Sequence, residues 1–150
     1  PRKAFTNINR SMKKSGRLNL LVWETFDENL WMKVPASAAF KILERPEPPK
    51  EGEPGPFSLC DSHAFTEILS AAGFENITFA SNTLNLNLGS LNEAVQLMTQ
   101  LGPAAKPYGE APSDLQKQAR ESMEAVLSQY ESASGVLLPS AFWQVRATAL

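Results

Sequence analysis

Cysteine and histidine are nearly missing from this chain of 150 residues: Cys60 and His63 are the only ones. A lone cysteine has no partner for an internal disulfide, and one cysteine with one histidine cannot build a zinc site. Long apolar runs are missing too. Nothing approaches the roughly 20 consecutive apolar residues of a membrane helix, and the basic amino terminus is not followed by the core of a signal peptide. The expectation is a cytoplasmic chain with no membrane partner. What is present is ordinary for a globular protein. A hydrophobic content of 43% with 20% charged residues rules out disorder throughout, and the length suits one domain. No internal repeat is visible.

The net charge of −2 hides an asymmetry. Six of the 14 basic residues (Arg2, Lys3, Arg10, Lys13, Lys14 and Arg17) precede Leu18 with no acid among them, leaving 8 basic against 16 acidic residues in the rest. A basic end can mark nucleic-acid contact. Here, however, the charges surround an apolar stripe of Phe5, Ile8 and Met12 without the interleaved aromatics that stack on bases, so a solvated helix face is the better reading. The acidic remainder also argues against a nucleic-acid partner.

That stripe, at i, i+3 and i+7, predicts an amphipathic helix over residues 2–14 ending in basic residues that complement its dipole, with Gly16 beyond it. Residues 18–23, Leu-Asn-Leu-Leu-Val-Trp, then read as a short strand covered on both faces. Residues 30–43 predict a helix with Trp31, Val34, Ala38 and Ile42 inward, in which Pro35 either introduces a kink or marks the first turn. Residues 44–56 hold five prolines and read as an extended, semi-rigid connection.

The clearest helix lies in "CDSHAFTEILSAAGF": Asp61 or Ser62 caps it, Phe65, Ile68, Leu69 and Ala72 form one face, and Gly73 stops it. In the strand that follows, Ile77 and Phe79 alternate, then Leu84, Leu86 and Leu88, so the parity shifts near residues 81–83 through a bulge or bend. Ser90 with Glu93, and Ser113 with Gln116, both match a capping box opening an apolar stripe. Phe142, Trp143 and Val145 lie in a closing strand.

In this order, "INRSMKKSGRLNLLVW", "GPFSLCDSHAFTEILSAAGFENITF" and "GVLLPSAFWQVRATA" resemble the carboxy-terminal half of a class I S-adenosylmethionine-dependent methyltransferase of the small-molecule type. The resemblance covers nearly the whole chain and rests on order and spacing, since each motif is degenerate. Ser15-Gly16 stands where that family usually has Pro-Gly-Gly or Gly-Gly. The resemblance implies an α/β fold: the carboxy-terminal half of a Rossmann-like methyltransferase sheet, with a final antiparallel strand pair and helical insertions. Residues 18–23 would be a central strand, with residues 142–148 antiparallel beside it and residues 77–88 outside that.

It further implies that residues 1–150 form one partial domain, the substrate-side half. The family holds S-adenosylmethionine by a glycine-rich turn after its first strand and an acidic residue after its second. This sequence has no G-x-G-x-x-G, and Gly52 and Gly55 stand among prolines without a flanking strand and helix. Most of the cofactor site, and the neighbours of the first strand, are thus expected in sequence outside these residues. This chain alone is expected to be inactive, and its acceptor is expected to be a small molecule. The alternative is a non-catalytic binding or regulatory module, completed by a partner or by dimerisation.

Ligands of open α/β sheets sit beyond the carboxyl ends of the strands, which singles out Trp23, Glu24, Thr25 and Phe26. With Trp31, Met32 and Phe57 they would wall a substrate pocket. Plain core and lid packing explains the same residues equally well. Methyl transfer needs alignment and exclusion of water more than a dedicated base, so no catalytic residue is assigned. Glu24 could orient an acceptor hydroxyl or amine. His63 lies in the first turn of a helix, where local capping accounts for it, and Cys60 has no activator nearby except His63.

Overall fold

The computed structural model describes residues 1–49 and 53–150. Part of the expected connection over residues 44–56, including Gly52, lies outside the described residues. On either side of that gap, residues 44–49 and 53–56 are exposed and belong to no helix or strand.

Helix α1 (Arg2–Arg10) buries Phe5 and leaves its basic side chains in solvent. It is shorter than the expected 2–14, because Ser11 already closes it and Lys13 belongs to a separate turn, where the Gly16 N–H donates to the Lys13 carbonyl. Ile8, expected inward, is exposed. Strand β1 (Arg17–Trp23) follows, and helix α2 (Leu30–Ala39) comes after a single 3-10 turn at Phe26–Glu28. Because α2 begins at Leu30, Pro35 sits beyond its first turn and does not open it. The inward face is also wider than expected, taking in Met32, Pro35, Ala36 and Ala39.

Helix α3 (Ser62–Ala71) is capped as the sequence predicts: the Asp61 carboxylate accepts from the His63 and Ala64 N–H groups. Gly73, at φ +92°, turns the chain off its end in the left-handed conformation that glycine adopts without penalty. Strand β2 (Phe74–Asn87) then runs for 14 residues. Asn76, at φ +53°, offsets its alternation so that Phe74, Ile77 and Phe79 all pack on one cluster. A second offset after Phe79 moves the half-buried positions to Asn82 and Leu86, so the parity shifts as expected, but Leu84, expected on the inward face, is exposed.

Helix α4 (Leu91–Met98) has the predicted capping box of Ser90 and Glu93. Helix α5 (Ala105–Glu110) has no counterpart in the sequence reading. Helix α6 (Ser113–Leu127) corrects the second capping box. Pro112 occupies the cap position without a side-chain bond, and the Gln116 amide instead donates to the Tyr108 and Ala111 carbonyls. The capping-box spacing was met, but α5 sits close enough to offer its carbonyls to the same side chain.

The short strand β3 (Glu131–Ser132) turns into β4 (Gly135–Ala149), whose alternation shifts from Val136, Leu138 and Ser140 to Ala141, Val145, Ala147 and Ala149. The shift follows Pro139, which has no N–H to give to a ladder.

The result is a mixed α/β fold with a four-stranded antiparallel open sheet in the order β1-β4-β2, β3 pairing with β4. Residues 17–23 of β1 pair antiparallel with residues 142–148 of β4. The neighbour relations thus agree with expectation, and so does the open side of β1, whose other neighbour is expected in sequence outside these residues. Among the described residues β1 is an edge strand. It is not, however, covered on both faces: Leu18, Leu20 and Val22 pack inward, while Arg17, Asn19 and Leu21 are exposed, Leu21 to 68%. An apolar run alone does not reveal whether one or two layers cover it, and here α1 and α3 cover only one face.

The chain divides into two compact units. The first comprises residues 1–25, 51–83 and 141–150, and the second residues 26–50 and 84–140. In the first, Phe5, Leu18, Phe65, Leu69, Phe74, Val145 and the small side chains Ala72, Ala147 and Ala149 form one core. A relay of tilted and edge-on rings runs through it, Phe5 to Phe65 at 5.3 Å, Phe65 to Phe79 at 6.0 Å and Phe79 to Trp143 at 5.9 Å between centroids. Such pairs add about 0.5–1.5 kcal/mol each beyond the area they bury. In the second unit α6 packs on α2 and α4, with Ala119, Met123 and Leu127 fully buried.

Candidate functional site

The carboxyl end of β1 lies in the first unit. The last rung there is Trp23 opposite Phe142, and the chain continues with the Glu24 N–H donating to the Ala141 carbonyl at 3.0 Å. Glu24 is only 5% exposed. Taking a carboxylate that far from water is costly, so Glu24 is the constrained acid of this strand end. Trp23 and Phe57 are half-buried and belong to the same unit.

Phe26, Trp31 and Met32 belong to the second unit. Phe26 is half-buried in the 3-10 turn, while Trp31 and Met32 are 7% and 4% exposed. The Trp31 indole N–H donates to the Asn29 Oδ1 at 3.1 Å, and Asn29 is itself fully buried. Met32 lies against Gly102, where an added Cβ would come within 3.2 Å of its Cγ. Thr25 is exposed in the first unit, so the seven sequence-selected residues fall four to the first unit and three to the second. Asn29 escaped the sequence reading, although an asparagine just before a helix is a recognised cap signal. What its sequence position did not announce is that its side chain serves the indole two residues on.

His63 and Cys60 have local roles. The His63 imidazole is largely in solvent, 3.9 Å from Glu67 across one turn of α3. The Cys60 carbonyl accepts from the Trp143 indole N–H at 2.9 Å, which ties the segment entering α3 to β4. Among the described residues no group of three or more His, Cys, Asp or Glu side chains could hold a metal ion.

An open polar depression of about 570 Å³ lies in the second unit, lined by Asn87, Gly89, Ser90, Glu93 and residues 131–135. Its side chains bond one another. Glu93 accepts from the Ser90 N–H and hydroxyl, and Asn87 donates to the Ser134 carbonyl while accepting from the Gly89 N–H. The bonds from Ser90 hold the Glu93 carboxyl below the ordinary glutamate range. No sequence signal marks this depression, because its two walls lie some 40 residues apart.

The depression also bears on the cofactor. Gly89 is the glycine between β2 and the start of α4, the kind of turn that can cradle a nucleotide. Here the Glu93 carboxylate closes it, 2.7 Å from where a Cβ on Gly89 would stand. The carboxylate fills the space that a cofactor would need against Gly89, so this turn does not fit as the main site for S-adenosylmethionine.

No protein-family model matches the chain, and no curated protein matches it. Among the described residues no helix is long and apolar enough to cross a membrane.

Proposed function

We propose that these residues are the substrate-side part of a class I S-adenosylmethionine-dependent methyltransferase acting on a small molecule in the cytoplasm. The observation that carries the reading is the place of the last strand. β4 enters between β1 and β2, antiparallel to β1, which is the arrangement that the resemblance implies.

Ser15 supports it further. It stands where the family usually has glycine, and its φ of +61° is the backbone conformation that glycine favours. The neighbouring Gly16 is equally constrained, since a Cβ there would lie 2.8 Å from the Lys13 carbonyl oxygen. The turn into β1 thus keeps a glycine-like geometry with a serine in it.

In this reading S-adenosylmethionine supplies an electrophilic methyl group, and its main binding residues belong to sequence outside this chain. What this chain contributes lies at the carboxyl end of β1. Trp23 offers an apolar wall that keeps water out, and Glu24 orients a hydroxyl or amine of the acceptor.

The test is calorimetric titration of S-adenosylmethionine into two proteins, the 150-residue chain and the longest continuous reading frame that contains it. Binding by the longer protein, through a glycine-rich turn after a strand, with negligible binding by the shorter one, is the expected result. A longer frame without such a turn and without binding defeats the reading. The open edge of β1 would then favour a binding or regulatory module completed by a partner.

A further inference from the structure

The outer side of β2 carries an inference that does not rest on the methyltransferase reading and is compatible with it. β2 is the last strand in the order β1-β4-β2, and among the described residues no strand pairs with its other side. The resemblance also implies that this strand is outermost, so a cofactor half joined at β1 leaves the outer side of β2 as it is. Two bonds define which residues face β4. The Ser140 hydroxyl donates to the Leu84 carbonyl at 2.9 Å, and the Leu88 N–H donates to the Val136 carbonyl at 2.9 Å. Successive residues of an extended strand turn their backbone groups to opposite sides. Leu84 and Leu86 therefore serve β4, while Thr83 and Asn85 present their N–H and C=O groups to the outer side.

The side chains here leave that edge unprotected. Residues 76–92 contain no charged side chain and no proline, although charged residues make up 20% of the chain. The two offsets of β2, at Asn76 and after Phe79, lie upstream, so residues 82–87 have none of the bulges, charges or prolines that keep edges apart. Thr83, Leu84 and Asn85 are exposed, Leu84 to 46%. An ionic partner strand would find no counter-charge on this edge and would lose hydration without compensation. A second copy brings the same neutral side chains.

We propose that β2 pairs with β2 of a second copy of this chain, antiparallel about a twofold axis at Leu84. In that register Thr83 lies opposite Asn85 of the other copy, and the two exchange backbone hydrogen bonds in both directions. Leu84 meets Leu84 in the intervening pair without backbone bonds, where side chains come closest, and this covers a leucine that the fold leaves in solvent. Asn82 lies opposite Leu86 on the same face, and Ser81 opposite Asn87 on the other. No charges meet. The segment is complementary to itself in geometry and in charge, which is what an isologous interface requires.

Sedimentation over a range of concentrations, on the 150-residue chain and on the longest continuous reading frame that contains it, should show a dimer in both. The Thr83 and Asn85 amides should gain protection from hydrogen exchange as it forms. Leu84→Lys changes an exposed side chain and sets like charges across the axis, so it should leave the fold, read by circular dichroism, and abolish the dimer. In a Cys60→Ser background, Leu84→Cys should form a disulfide across the axis, while Leu86→Cys, which faces Asn82, should not. Monomers at high concentration, a dimer confined to the shorter chain, a dimer that survives Leu84→Lys, or equal cross-linking at both positions overturns the proposal. If Leu84→Lys fails to fold, the cysteine pair alone decides. Cofactor binding enters none of these readouts, so failure here and failure of the methyltransferase reading remain distinguishable.

Discussion

At residue scale the most informative position is Ser15. A side chain at φ +61° is disfavoured by about 1 kcal/mol, since its Cβ crowds the neighbouring carbonyl. The cost is accepted because the Ser15 N–H then reaches the Ala149 carbonyl at 2.9 Å, which joins the turn to the end of β4. Ser15→Gly should therefore stabilise the chain by about 0.5–1 kcal/mol, read as a rise in the denaturant midpoint at unchanged slope. A fall would mean that the serine side chain makes a compensating contact. Asn29 shows the opposite economy: one buried amide satisfies an indole that would otherwise be desolvated without an acceptor, a loss of about 1–3 kcal/mol.

Helix ends separate local from tertiary control at the scale of the element. Ser90 and Glu93 cap α4 with groups three residues apart in the chain, so the pattern alone sufficed. Ser113 and Gln116 have the same spacing, yet Gln116 turns to the carbonyls of Tyr108 and Ala111, which the turn between α5 and α6 brings within reach and the three-residue pattern does not describe. The α4 cap has a pH signature. Because folding lowers the Glu93 pKa through its bonds from Ser90, the stabilisation is present above the ordinary glutamate range and lost as pH falls through the folded value. Ser90→Ala should move the Glu93 titration back up toward that range and weaken the acid dependence of stability. Carboxyl-carbon NMR titration of the two proteins checks this, and an unmoved Glu93 titration would contradict it.

For the whole molecule, the basic head and acidic remainder raise the question of polyanion binding. None of Arg2, Lys3, Arg10, Lys13, Lys14 and Arg17 forms an ion pair among the described residues; the first three stand exposed on α1, whose one buried residue is Phe5, and the rest are exposed in the turn and at the start of β1. No exposed aromatic row accompanies them. Single-stranded oligonucleotides should therefore bind weakly at low salt and lose that binding near physiological salt, as fluorescence anisotropy would show. Retention at physiological salt would argue for a nucleic-acid surface. The sequence by itself determined the helices with strong local signals, such as Asp61 to Gly73 and Ser90 to Met98, because caps and periodic faces act between near neighbours. The place of the last strand between the first two was implied only by the resemblance of the motifs to the methyltransferase family, and the sheet order agrees with it. Only the tertiary structure decided that α1 and α3 cover a single face of β1 and that the candidate residues divide between two units. Burial depends on which segments arrive from elsewhere in the chain, and a run of six apolar and polar residues carries no record of them.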